Sequence, residues 1–64
     1  MNREPGALLD ALLRLLRDGK WHSLDQIALE LCVSERKLLM ALRFLAEYSF
    51  VELEEEQRRA RITS

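Results

Sequence analysis

The feature that most limits what this chain can become is a pair of helix starts with almost no room between them. Ser23 stands before the apolar positions Leu24, Ile27, Ala28 and Leu31, and Gln26 lies three residues after it. In that arrangement the serine and the third residue satisfy each other's free backbone N–H groups, so a helix begins at about residue 24. Ser34 restarts one, because its oxygen can accept from the free N–H groups of the next turn. The break at Cys32-Val33 is two or three residues long. Two helices joined so closely cross at a steep angle, which is helix-turn-helix geometry.

The order Trp21-His22-Ser23-Leu24-Asp25-Gln26-Ile27-Ala28, then Leu31-Cys32-Val33-Ser34, then Leu38, Leu42, Leu45 and Phe50-Val51, resembles the winged helix-turn-helix family from about Leu8 to Ile62. Ala28, Val33, Leu38 and Leu42 stand where that family uses a small residue and three aliphatics to lock the two helices together. The resemblance implies an α+β fold, mostly α, of three helices plus a C-terminal β-hairpin wing. It also implies a first small strand at Lys20-Trp21-His22 beside the wing, and a transcription regulator whose helix 34–48 reads duplex DNA. One departure stands out. Many members carry Gly at the turn position held here by Cys32, and a turn that needs φ > 0 strains any other residue.

Sixty-four residues make one domain, 1–64, and a chain this short buries only about 60% of the surface its unfolded form exposes. With 48% hydrophobic and 33% charged residues the composition is that of a folding domain. A single cysteine cannot close an internal disulfide, and no charged-then-apolar leader opens the sequence, so a cytoplasmic protein is expected. No apolar run approaches the roughly 18 residues of a membrane span. The net charge of −1 counts against simple duplex binding, for which any positive face must come from local clustering.

Residues 1–6 read as a frayed terminus, followed by a helix from about Ala7 to Asp18 that stops at Gly19. At about 100° per residue, Leu9, Leu13 and Leu16 form one stripe and Leu8, Leu12 and Leu15 another, an apolar arc of roughly 160°. Such an arc is wider than a surface helix needs for one core. Either the small domain buries most of the helix, or Leu8, Leu12 and Leu15 face a second subunit in a homodimer. Trp21 is expected to pack as core or to cover the sheet edge. His22 lacks the further ligands or nucleophile that a metal or catalytic role needs, Cys32 being one helix away, and Cys32 itself reads as a small packing residue.

Helix three, about Glu35 to Glu47 or Tyr48, carries Leu38, Ala41, Leu42 and Leu45 inward. Half a turn round the wheel, Arg36, Arg43 and Glu47 come together with Leu39 and Met40 at their flanks. Phe50 to Ile62 alternates as a hairpin, the wing, spanning 50–62. With Glu56-Gln57 at the tip, Val51 lies opposite Ile62, Leu53 opposite Ala60, Glu52 opposite Arg61 and Glu54 opposite Arg59. Each such pair adds about 0.2–1 kcal/mol. That register engages Arg59 and Arg61, leaves Arg58 as the wing residue free to bind an anion, and sets the run Glu54-Glu55-Glu56 as a solvated turn.

No glycine phosphate loop, metal-ligand cluster or nucleophile-base pair emerges, so neither an enzyme nor a cofactor is expected. Two binding functions follow. In the first, Ser34, Arg36, Lys37, Met40, Arg43 and Arg58 contact duplex DNA, the arginines on guanine edges or phosphates and Ser34 and Lys37 on phosphates. In the second, the acidic balance and the apolar Leu39, Met40 and Phe44 make the same helix face a protein-interaction surface.

Overall fold

The computed structural model describes residues 5–63. Helix α1 spans Pro5–Leu15 and starts on its proline. The helix therefore begins before Ala7, and Pro5-Gly6 belong to it rather than to a frayed terminus; residues 1–4 lie outside the described residues. Leu16 still donates to the Leu12 carbonyl at 3.0 Å, and Gly19 turns the chain at φ 78.

Strand β1, His22–Ser23, runs directly into α2, Leu24–Leu31, and α3 covers Glu35–Glu47. Both serines cap their helices as the sequence predicts, but Gln26 does not return a side-chain bond to the Ser23 N–H. Ser23 Oγ accepts from the Gln26 N–H at 3.1 Å, and Ser34 Oγ accepts from the Lys37 N–H at 3.2 Å. The two helices also end alike. After α2, Cys32 takes the left-handed conformation at φ 56, while the Val33 N–H reaches back to the Ala28 carbonyl at 3.1 Å. After α3, Ser49 does the same at φ 65, and the Phe50 N–H reaches the Leu45 carbonyl at 2.9 Å. These are left-handed caps of the kind glycine usually supplies. The turn at Cys32 does require positive φ, and the chain meets that need with a residue carrying a Cβ.

Strands β2, Val51–Glu54, and β3, Arg59–Ile62, form the hairpin in the expected register: Val51 with Ile62, Glu52 with Arg61, Leu53 with Ala60, Glu54 with Arg59. β1 adds to the other side of β3, pairing His22 with Ala60, so the antiparallel sheet runs β1-β3-β2. The core gathers Leu12 and Leu16, Leu24 and Ile27, Leu38, Leu42 and Leu45, and Val51 and Ala60 of the sheet. The result is a small, mostly helical α+β domain of three helices and a C-terminal hairpin, a topology consistent with winged-helix architecture.

Leu12 is wholly buried, which bears on the two roles open to the leucine-rich first helix. Its inward line is Leu12 with Leu16, one residue from each stripe, and Leu8, Leu9, Leu13 and Leu15 pack half-buried around it. A dimer face made of Leu8, Leu12 and Leu15 would lack its central residue, which already fills the domain's own core.

Candidate functional site

Helix α3 turns Leu38, Leu42 and Leu45 into the core and leaves an outer half that divides lengthwise into two strips. At about 100° per residue, Arg36 and Arg43 lie on the side toward the hairpin, while Lys37, Met40, Phe44 and Tyr48 lie on the side toward α1. The two strips have different fates.

On the hairpin side Arg43 and the arginines of the hairpin are paired within the domain, and Arg36, among the described residues, is not. Arg43 donates from Nε to Glu55 Oε2 at 2.9 Å and from Nη2 to Glu55 Oε1 at 2.8 Å, a two-pronged grip that pins the hairpin tip onto α3. These bonds raise the Arg43 pKa and lower that of Glu55. Arg58, the last residue of the hairpin turn, spans two elements. Its Nη2 donates to Asp25 Oδ1 at 2.6 Å and its Nη1 lies 2.5 Å from Glu35 Oε2, so it ties the first turns of α2 and α3 together. Its carbonyl accepts from the Leu24 N–H at 2.9 Å, the link through which the hairpin meets the start of α2. The bond to Glu35, then that to Asp25, drives the Arg58 pKa upward. Arg58 is therefore not the free anion-binding residue the alternation predicts, and Glu55, an exposed turn residue as expected, is also held by Arg43; the two engage partners far away in sequence.

The rest of the hairpin follows its expected cross-strand pairing. Arg59 donates to Glu54 at 2.8 Å and Arg61 to Glu52 at 2.6 Å. The same two guanidinium groups lie 4.1 and 4.4 Å from the Trp21 ring centroid. Trp21 thus covers the sheet as a half-buried cation–π platform. His22 Nε2 meets Asp18 Oδ1 at 2.9 Å, and Cys32 is an exposed free thiol on its helix cap.

On the α1 side the surface is apolar and open. Met40 is 64% exposed, Phe44 47% and Tyr48 60%, and the Phe44 and Tyr48 rings lie 5.0 Å apart. Beside them a groove of about 650 Å³ runs between α1 and α3, lined by Ala7, Leu8 and Ala11 of α1, Leu31 at the end of α2, Val33 of the turn, and Lys37, Met40, Ala41 and Phe44 of α3, with Leu9 also at its wall. The alanines on α1 are four apart, on one helix face, and their short side chains make the recess. The leucine stripes dominate α1 in the sequence, and this small-residue line beside the Leu8, Leu12 and Leu15 stripe gives no comparable signal.

The six residues expected to touch DNA are consequently scattered in role. Ser34 Oγ is occupied as a cap, Arg43 and Arg58 hold carboxylates, Lys37 and Met40 line the apolar groove, and Arg36 is exposed. Arg36, Lys37 and Glu47 have no ion-pair partner among the described residues. No family model matches this chain, and searches of curated proteins and of solved structures find no match to it either. Among the described residues no helix is long and apolar enough to cross a membrane.

Proposed function

We propose that this chain is a protein-interaction module of winged-helix type that binds through the apolar outer strip of α3 and the groove beside it. The observation that carries this is the exposure of Met40, Phe44 and Tyr48 in one line on the helix that a DNA-binding winged helix would insert into the major groove. Base edges are read by paired donors and acceptors, whereas Met40 and Phe44 offer no donor and Tyr48 a single hydroxyl. Contiguous exposed apolar surface suits a protein partner. The domain is non-catalytic in this account and works in the cytoplasm, a setting that fits its unpaired surface cysteine.

One observation favours transcriptional DNA binding as the second function. Arg36 and Lys37 lie exposed in the first turn of α3, where the helix dipole also favours phosphate. A titration against random duplex DNA by fluorescence anisotropy at two salt concentrations separates the two. The interaction module gives no binding that weakens steeply with salt, and captures a partner that Met40→Asp or Phe44→Asp releases. Steeply salt-dependent binding that is lost on replacing Arg36 and Lys37 with alanine sinks it in favour of DNA.

A further inference from the structure

Lys37, Met40, Phe44 and Glu47 fall within about 80° of one another around α3. Their spacing of three, four and three residues is the same from either end, while the charge inverts: a cation, two apolar residues and an anion. Alternating three- and four-residue steps are the seam spacing of paired helices. A two-fold axis beside α3, level with Leu42, places Lys37 of one copy opposite Glu47 of the other, and Met40 opposite Phe44. Both charged members of the seam lack an ion-pair partner among the described residues, whereas Glu35 and Arg43 on the same helix are engaged.

We propose that this strip is a self-complementary interface through which two copies of the chain pair with their α3 helices antiparallel. The proposal rests on the interaction-module function and names its partner. Charge selects a second copy: the one apolar seam carries a cation at one end and an anion at the other, and its own reversed image satisfies both. Isologous contacts are built this way, each residue meeting its counterpart twice. The apolar centre brings the Met40 thioether against the Phe44 ring, a favourable pairing. The axis keeps both α1–α3 grooves on one side of the pair, so Tyr48 of each copy lies over the Lys37 end of the other's groove. Pairing covers the α3 face and is incompatible with that face reading DNA.

Charge reversal tests this without damaging the fold. Lys37→Glu completes a Ser-x-x-Glu capping box with Ser34, and Glu47→Lys sets a cation at a helix C-terminus, so each variant favours α3. Sedimentation at increasing concentration should give the wild type twice its 7.5 kDa monomer mass. Each single reversal should weaken self-association on the order of tenfold or more, by setting like charges opposite each other twice. An equimolar mixture of the two variants should recover wild-type affinity as a heterodimer, because each reversed charge then meets the other. A mixture no tighter than its components overturns the proposal, as does a wild type that stays monomeric at every concentration. A monomer that still captures another protein, and loses it on Met40→Asp, overturns the second copy alone and leaves the interaction function standing. A monomer that binds duplex DNA with steep salt dependence overturns both.

Discussion

Arg43 of α3 holds Glu55 of the hairpin tip through two hydrogen bonds of 2.9 and 2.8 Å, so one of the two arginines on the outer half of α3 already grips a carboxylate of the protein's own. Glu55→Ala releases it. Affinity for random duplex DNA at low salt should then rise above the wild-type level, and the slope of log affinity against log salt should steepen by about 0.9 for the one additional phosphate that Arg43 neutralises. Unchanged affinity and slope would mean that Arg43 does not face the approaching duplex.

Cys32 and Ser49 both carry left-handed backbone at helix ends, with φ 56 and 65. For a residue with a Cβ that conformation costs about 1–2 kcal/mol, part of which glycine gives back as lost chain entropy. Cys32→Gly and Ser49→Gly should therefore each stabilise the domain by about 1 kcal/mol, a rise in Tm of roughly 4–8 °C at this size. Thermal melts followed by circular dichroism read this directly, and a fall in Tm for both would contradict the cap geometry. The two sites are independent, so the double variant should show the sum.

Leu42 is wholly buried and Leu29 is 77% exposed, although both are helical leucines. Truncating the first leaves a cavity costing about 2–5 kcal/mol, comparable to the entire stability of a small domain. Leu42→Ala should accordingly lose its cooperative unfolding transition in urea, while Leu29→Ala should stay within about 0.5 kcal/mol of wild type. Equal effects would place the core elsewhere.

Glu35, Glu55 and Asp18 each titrate below their ordinary values because they accept hydrogen bonds, from Arg58, Arg43 and His22 respectively, with the Lys20 N–H adding to Asp18. A carboxylate of this kind binds protons more readily when unfolded. Its stabilising contribution is present above the unfolded values of 4.5 for glutamate and 3.8 for aspartate, and is lost as pH falls through the lower folded values. The urea midpoint should hold steady down to about pH 5 and decline below it. Glu55→Gln should shrink that acid decline; an identical decline in the variant would show that the Arg43 pairing contributes nothing to it.

Much of the fold was legible because neighbouring residues carry it. The serine caps need only three residues of context, and the hairpin register follows from pairing each acid with a base and each apolar residue with another over a short loop. The αL turn at Cys32 was visible as a glycine position without its glycine. What could not be read locally were contacts that depend on where whole elements land. Arg58 finds Asp25 and Glu35, and Arg43 finds Glu55, only once the hairpin folds back over the two helix starts. Leu12 and Leu16 lie on either side of the centre of the roughly 160° apolar arc, so the wheel points them inward, and dividing the arc into two stripes hides this. The groove leaves little trace in the sequence because alanine gives little signal and a recess is made by what is missing.

The middle strand of the sheet, β3, follows every other described element in chain order, and β1 has no strand neighbour but β3. During synthesis the three helices leave the ribosome first, and β1 must wait, its edge unpaired, until Arg59–Ile62 arrive to be inserted between it and β2. Arg58 arrives with them, so the clamp across α2 and α3 also closes last. Nascent chains halted before the final strand should therefore be open to protease along the whole domain, and release of a few more residues should confer resistance on all of it at once.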